Sequence, residues 1–359
     1  MYTRSHPVLF ALLAAARLRP VTRLGRAVLV SGTDPYREAL TRIPLDRTAA
    51  GTTGGAVREL SAGGTLFDQD GTGHRATRRV IAEDLGAAGV QRLRPVWMEV
   101  LTRRLAPLDA GRSVDLVPLT RELAGATVCA LLGSTADPHA VAAAAATAAA
   151  AAVRDHLPGP RRPASRRAAV VATGHLETLL TEGRFSRESA LTAMLAVAAV
   201  NTTVAALPRA AAWCADARLW EHATDERLRP TLVTELLRVT APSPLLPRVA
   251  AADATLDGCP VHTGDRIILL ARHAAGAHSD PPDVHHPARP AVAQLVFGAG
   301  THACPGARMA RAQLNDALAM LAPYRPVIVR ARVDRGAALP SWHSLTLRPG
   351  AGAGSEADR

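Results

Sequence analysis

Apolar residues form long runs in the middle of the chain and alternate with polar residues near its end. Three runs have the length and composition of helices: Val141 to Val153, Leu191 to Leu207 and Arg229 to Thr240. Pro208 is expected to end or kink the second helix. Near the end of the chain, Val327 to Arg332 and Ser344 to Arg348 alternate as short strands do. The pattern therefore predicts a mainly helical protein with a minor β region.

Composition excludes several classes of protein. The chain has 359 residues and a net charge of +11, and all of its basic residues other than histidine are arginine. The arginines are dispersed and aromatic residues make up only 3% of the chain, which disfavours nucleic-acid binding. Four scattered cysteines without a C-x-x-C motif suit neither a disulfide scaffold nor a zinc or iron–sulfur site.

One cysteine near the end of the chain carries the strongest chemical signal. It stands in the segment Phe297-Gly298-Ala299-Gly300-Thr301-His302-Ala303-Cys304-Pro305-Gly306. Pro305 suits the first position of a helix, so we expect Cys304 at or next to a helix cap, where the helix dipole favours a thiolate. Thiolate is a ligand of haem iron. His302 is then a candidate partner of a haem propionate, Phe297 is expected beside the sulfur, and the glycines are expected to let the backbone approach a flat macrocycle.

This segment matches the pattern F-G-x-G-x-H-x-C-x-G at every fixed position and resembles the cysteine-ligand loop of the cytochrome P-450 family. The resemblance implies a mainly α fold with a minor β region, in which haem lies between a long distal helix and a proximal cysteine loop. It implies haem b as the cofactor and Cys304 as the axial ligand of its iron, with Phe297, His302 and Gly306 around it. The alternative is a buried cysteine in a glycine-rich loop.

Two further segments are similar to motifs of the same family. Glu235 and Arg238, three residues apart on a helix, resemble its E-x-x-R pair, which braces the fold beneath the haem. His74 and Arg78 lie in a segment that resembles the entry to the family's C helix, with glycine and threonine in place of two prolines. Arg248 occupies the place of a family arginine. The resemblance implies that His74, Arg78, Arg248 and His302 bind the haem propionates.

The apolar run Leu191 to Leu207 departs most from the family pattern. Aligned to A-G-x-[D/E]-T it reads Ala198-Ala199-Val200-Asn201-Thr202. Thr202 matches the hydroxyl that steadies iron-bound oxygen, whereas Asn201 replaces the acid. An amide cannot relay protons by ionising, although it can orient water. The resemblance therefore implies a catalytic role for Thr202 and Asn201 and questions ordinary hydroxylation. A buried helix with incidental threonines is the alternative.

The resemblance implies a haem-thiolate monooxygenase that oxidises a small organic molecule, plausibly in specialised metabolism, with electrons from a ferredoxin-type partner. Arg79, Arg308 and Arg311 are expected on the proximal face, where an acidic donor would dock. A second hypothesis keeps the haem but predicts peroxide-driven, coupling, desaturating or cyclising chemistry. A third is a haem-free activator or interaction module, and the presence of Cys304 argues against it.

The likeness to the family covers most of the chain. We expect one haem domain over residues 1–348 and a flexible C-terminal tail over residues 349–359. Gly51 to Thr65 and a turn around Ser341 to His343 are expected to face the substrate. The sequence offers no convincing membrane span or secretion signal, so we expect a cytoplasmic protein without membrane attachment.

Overall fold

The computed structural model describes residues 11, 14–15, 19–60, 65–156, 163–181 and 187–350. Within these residues helices dominate. They are α1 (Thr33–Thr41), α2 (Thr53–Leu60), α3 (Gly71–Leu85), α4 (Ala87–Leu105), α5 (Leu116–Leu132), α6 (Pro138–His156), α7 (Pro163–Thr181), α8 (Arg187–Asp216), α9 (Trp220–Thr224), α10 (Arg229–Thr240), α11 (Ala271–Ala274), α12 (Pro290–Ala293) and α13 (Ala307–Leu321). Short 3-10 helices lie at Ala106–Leu108, Gln294–Phe297, Gly300–His302 and Ala322–Tyr324.

Short strands form a minor β region. They are β1 (Val21–Leu24), β2 (Ala27–Val30), β3 (Val114–Asp115), β4 (Leu246–Val249), β5 (Ala254–Leu256), β6 (Cys259–Val261), β7 (Arg266–Leu269), β8 (Val327–Asp334) and β9 (Ser341–Arg348). The described strands pair in the orders β1-β2-β7-β4, β3-β9-β8 and β5-β6, and only β2 and β7 run parallel. The predicted mainly α fold with a minor β region is confirmed.

The longest helix continues past the proline that was expected to end or kink it. α8 has 30 residues and runs beyond Pro208 to Asp216, so Pro208 does not end it. Burial of the following turn explains the continuation, because Ala210 and Ala211 are fully buried and Arg209 is anchored by its guanidinium. That group donates to the carbonyl oxygens of Pro340, at 3.0 Å, and Thr240. These contacts offset the backbone hydrogen bond that proline removes.

Helices α6, α7 and α8 pack through alanine. Ala145 and Ala148 of α6 meet Ala196 and Val200 of α8 in one buried cluster, to which α7 contributes Leu176. Because these side chains are small, the helix backbones approach one another closely. The interface is held by shape and not by directional bonds between side chains.

One stretch of α8, Ala190–Asp216, is long and apolar enough to cross a membrane, with a mean hydropathy of 1.8 over its most apolar window. Half of that window is buried inside the protein. The helix is longer at both ends than the apolar run Leu191 to Leu207 that predicted it, and on the C-terminal side the added turns bury Ala210, Ala211 and Cys214.

Two strand and loop predictions needed correction. The turn expected around Ser341 to His343 is wrong, because these residues belong to β9 and pair with β8, and the connection lies at residues 335–340. His343 is exposed on the strand. The predicted loop from Gly51 contains helix α2, while residues 61–64 lie outside the described part. The predicted tail lies outside it from residue 351 onward, and the Gly350 N–H still donates to the Tyr324 carbonyl oxygen at 3.0 Å.

Candidate functional site

The cysteine segment folds as a tight loop ahead of α13. The Cys304 N–H donates to the Phe297 carbonyl oxygen at 2.7 Å, and a 3-10 turn fills the interval between them. Gly298 has a φ of 78°, in the left-handed region that favours glycine. α13 begins at Ala307, so Pro305 is not the first helical residue as predicted. Cys304 therefore lies just before the cap, not within it.

The thiol of Cys304 lies at the floor of a recess. Its side chain is exposed by surface area although protein surrounds it on most sides. Burial raises the pKa of this thiol, whereas a hydrogen bond from the Gly306 N–H and the charges of Arg78 and Arg311 lower it by a smaller amount. The protein thus supplies positive potential to a sulfur that needs a further cationic partner to remain a thiolate.

The glycines of the loop serve different purposes. A Cβ on Gly306 would lie 3.8 Å from the Cys304 sulfur, on the side to which the thiol points. Gly300 has a φ of 70°, and a Cβ there would meet Thr41 at 3.2 Å and the Leu40 carbonyl oxygen at 3.3 Å. Close packing against α1 thus explains Gly300, in place of the predicted approach to a macrocycle.

Phe297 lies under an arginine. The Arg311 guanidinium sits 4.7 Å from the centre of its ring and donates to the Gln294 side-chain oxygen at 2.8 Å. Arg311 is therefore engaged within the protein, although the sequence suggested that it belongs to a docking surface. Arg79 and Arg308 are exposed, in agreement with that suggestion.

The two predicted site histidines stack on each other. The ring centres of His74 on α3 and His302 lie 3.9 Å apart. His302 Nε2 is buried, and its distance of 3.7 Å to Asp70 Oδ1 is too long for a hydrogen bond. Burial, followed by the charge of Arg47, lowers the pKa of His302 to about 4. Burial and then the charge of Arg78 lower the pKa of His74.

Arg248 projects from β4 beside these histidines, and a second arginine stands near it. Burial and then the charge of Arg47 lower the pKa of Arg248 to about 10. The buried Nε atoms of both arginines form no hydrogen bond with the described residues. Sequence reasoning missed Arg47, because its nearness to Arg248 depends on a bridge between Leu45 and Ala250, about 200 residues apart in sequence.

Glu235 and Arg238 form a buried ion pair on α10. Arg238 Nη2 lies 2.6 Å from Glu235 Oε2, and each side chain is only 1% exposed. The guanidinium also donates to the carbonyl oxygens of Ala275, Asp280 and Pro281. The carboxylate in turn accepts the backbone N–H groups of residues 283 and 288. The pair thus ties the loops that precede the cysteine segment to α10.

Thr202 and the cysteine loop share a cavity. Its lining includes Thr202 and Thr203 of α8, Phe297 of the loop and Gln313 of α13. The Thr202 hydroxyl donates to the Ala198 carbonyl oxygen at 2.7 Å. The motif residues on the long helix and on the cysteine loop, about 100 residues apart in sequence, therefore face one space.

Asn201 points toward α6. Its amide nitrogen donates to the carbonyl oxygen of Ala145 in α6 at 3.2 Å and to that of Val197, four residues earlier in α8, at 2.8 Å. Both of its N–H groups are thereby used, and only the side-chain oxygen remains to accept a hydrogen bond.

Known proteins with similar sequences share the segment that contains the buried ion pair and the cysteine loop. The family model described as cytochrome P450 matches residues 228–322, which include the buried ion pair and the cysteine loop. A 23-monooxygenase of 20-oxo-5-O-mycaminosyltylactone from Streptomyces fradiae is 28% identical over 300 residues, covering 75% of this chain and 69% of the relative. The erythromycin C-12 hydroxylase of Saccharopolyspora erythraea is also 28% identical, over 71% of each chain. The matched segment and these relatives together support a bacterial cytochrome P450.

The solved structures agree at the level of fold. The structure of P450BioI in complex with an acyl carrier protein ligated to hexadec-9Z-enoic acid aligns with a TM-score of 0.79 and 18% identity, over 97% of this chain and 99% of that one. CalO2 aligns with a TM-score of 0.75 and 21% identity. On the grounds of the family model and the curated relatives, the protein is a P450-type oxidoreductase. Members of this family are haem-iron monooxygenases that act on small molecules with redox partners.

The residues of this P450 fit a haem. Cys304 offers a sulfur at an open position, which is what the iron of a thiolate-ligated haem requires. Nε of Arg248 and Nε2 of His302 are buried and form no hydrogen bond with the described residues, and these groups suit the carboxylates at the edge of a haem.

Proposed function

We propose that this P450 is a haem b monooxygenase that oxidises a small organic molecule of specialised metabolism, with electrons from a ferredoxin-type protein. The observation that carries the proposal is the cavity shared by Thr202 and the cysteine loop. Its lining brings Phe297 of the cysteine loop next to Thr202 of α8, and Cys304 lies in the same loop at an exposed position. Haem held by Cys304 would supply the activation of dioxygen that oxidation of an organic substrate requires.

Cys304 is the proposed axial ligand of the iron. Phe297, whose carbonyl oxygen accepts the Cys304 N–H, and Gly306 hold the loop in place around the sulfur. Bound iron would replace the positive charge that the thiolate otherwise lacks and would oppose the effect of burial on the pKa of the thiol.

His74, Arg78, Arg248 and His302 are the proposed partners of the propionates. The stacking of the two histidines and the burial of Arg248 support this role, since buried cations require anions nearby. Arg78 is half-buried, and its charge acts on both His74 and the Cys304 sulfur, which places it on the same side of the site.

Thr202 and Asn201 are the proposed distal residues. Thr202 faces the cavity, where its hydroxyl can orient water or oxygen while it donates to the Ala198 carbonyl oxygen. The amide nitrogen of Asn201 holds α6 against α8, and the packed alanine helices exclude water from the space below.

The remaining parts of the proposal concern partners and context. The exposed Arg79 and Arg308 give a ferredoxin-type donor a basic surface, because acidic partners are steered by such charge. The names of the two relatives, a tylactone-derivative monooxygenase and an erythromycin hydroxylase, support a substrate from specialised metabolism. We further propose that residues 1–348 form one haem domain and that the protein is cytoplasmic.

A second candidate keeps the haem but replaces hydroxylation by peroxide-driven, coupling, desaturating or cyclising chemistry. Asn201 favours it, because both of its N–H groups are bound to carbonyl oxygens and its side chain cannot ionise. Incorporation of ¹⁸O₂ into the product of the reductase-driven reaction distinguishes the two. Label in the product supports monooxygenation, and product formed without label supports the second candidate.

The experiment that tests haem-thiolate binding is the reduced, carbon-monoxide difference spectrum of the purified protein. Wild type is expected to show the long-wavelength Soret band of thiolate ligation, and Cys304→Ser is expected to lose it. Cys129→Ser is the matched control, because Cys129 is buried in α5 away from the loop. Colourless wild-type protein would favour a haem-free interaction module.

A further inference from the structure

A backbone bridge brings a second arginine near Arg248. Leu45 and Ala250 form an antiparallel bridge, and the Asp46 N–H donates to the Val249 carbonyl oxygen at 2.9 Å. Arg47 lies two residues after Leu45 and Arg248 two residues before Ala250, so this bridge brings the two arginines near each other. The charge of Arg47 accordingly contributes to the lowered pKa of Arg248.

The position of Arg47 is also fixed from its own side. The Asp46 carboxylate accepts the Thr48 N–H at 2.8 Å and the Thr48 hydroxyl at 2.9 Å, which closes a turn around Arg47. The Arg47 carbonyl oxygen lies against Gly54, where a Cβ would come within 2.0 Å of it. The backbone of Arg47 is therefore held beside the segment that carries Arg248, and the charge of Arg47 contributes to the lowered pKa of Arg248.

Two like charges near each other in a buried setting are unfavourable without an anion. No carboxylate of the described residues lies within 4.0 Å of Arg47 or Arg248 as an ion-pair partner, and the buried Nε of each lacks a hydrogen bond. Asp70 acts on Arg47 only at longer range. A haem carboxylate would supply the anion that Arg47 and Arg248 lack within 4.0 Å.

We propose that Arg47 is a third guanidinium of the site that binds the haem carboxylates. This inference rests on the proposed haem function. The Arg47 fork would bind a propionate, and Arg47 is a binding residue that the family motifs in this sequence do not include.

The test compares the holoproteins of Arg47→Gln and Arg42→Gln. Arg42 is the matched control, because it is an exposed arginine five residues earlier in the chain. The measurement is the rate of haem transfer from the ferric protein to excess apomyoglobin. Loss of a charged hydrogen bond to a carboxylate is expected to speed transfer roughly tenfold in Arg47→Gln, and the control is expected to match wild type.

Arg47→Lys keeps the charge but loses the fork, so its transfer rate is expected to lie between those of wild type and Arg47→Gln. If Arg47→Gln fails to fold, this variant carries the test, and a wild-type rate in it counts against the proposal. The propionate bending band in the resonance Raman spectrum provides a readout that local unfolding does not mimic. It is expected to shift in Arg47→Gln and to stay in place in Arg42→Gln.

The possible results separate the two proposals. Suppose that Arg47→Gln shows the thiolate Soret band, transfers haem at the wild-type rate and keeps its propionate Raman band in place. This result would overturn the role of Arg47 and leave the proposed haem binding intact. Wild-type protein that lacks the thiolate Soret band would overturn the proposed function, and the inference about Arg47 would fall with it.

Discussion

The proximal and distal halves of this P450 are built by different means. Below the cysteine loop, Glu235 and Arg238 join α10 to three loop carbonyl oxygens and two backbone N–H groups through directional bonds. Above the site, α6 and α8 meet through alanine and valine. A buried charge network fixes atomic positions, whereas small apolar contacts fix only a distance. The half that contains Cys304, the proposed ligand of the iron, is thus the more tightly defined.

The largest effect is expected from breaking the proximal network. Glu235→Ala leaves the buried Arg238 guanidinium without its carboxylate, which costs about 3–5 kcal/mol of unfolding free energy. The protein is expected to be haem-poor and prone to aggregate, as measured by the ratio of Soret to protein absorbance.

Glu226→Ala is the control for this change, because Glu226 is an exposed partner of Arg229 at 3.7 Å and its removal should cost less than about 1 kcal/mol. A soluble, fully haem-loaded Glu235→Ala protein would show that the buried pair is dispensable and would remove the contrast between the halves.

The distal interface should respond to volume. Ala196→Leu adds three carbons to a fully buried position between α6 and α8 and is expected to cost about 1–3 kcal/mol by overpacking. Thermal unfolding followed by circular dichroism measures the loss. Ala143→Leu, on the exposed face of α6, should unfold at the wild-type temperature. Equal midpoints for the two variants would mean that the interface is loosely packed.

A smaller and pH-dependent effect is expected for Asn201→Asp. The new carboxylate would face the carbonyl oxygens of Ala145 and Val197, so its folded-state pKa is raised above the unfolded value. The variant is then close to wild type in stability at acid pH, and it loses stability as pH rises above the unfolded pKa of about 4.

Thermal midpoints measured at pH 5 and pH 8 test whether the stability loss of Asn201→Asp grows as pH rises. Asn201→Ala, which removes the donors without adding charge, should lose stability equally at both values. A destabilisation of Asn201→Asp that does not grow with pH would mean that its side chain turns away from α6.

The smallest structural effect is expected for Thr202→Ala, since its hydroxyl bonds only to the preceding turn of its own helix. The chemical effect should be larger. Hydrogen peroxide release per electron pair is expected to rise several-fold at the expense of product, because a positioned proton donor typically contributes a factor of about 100 or more to such steps. Thr203→Ala is the neighbouring control. Wild-type coupling in Thr202→Ala would leave this residue a packing role only.

The sequence predicted the parts of the site that depend on local spacing. Cys304 with its loop and the pair Glu235 and Arg238 follow from short motifs, and helix α10 was predicted with its bounds unchanged. Arg47 could not be predicted, because a bridge between distant segments brings it to Arg248. The chain passes through Pro208 without ending α8 because tertiary anchors outweigh local propensity.

The hydrogen bond from Asn201 and the alanines of α6 have a mechanical consequence. Alanine has no side-chain rotamer, so the alanines between α6 and α8 do little to fix the position of α6 along its axis. Successive turns of α6 present carbonyl oxygens about 5.4 Å apart, and the hydrogen bond from Asn201 selects that of Ala145. Asn201 therefore sets the axial register between the two helices, which the packing of small side chains leaves weakly specified.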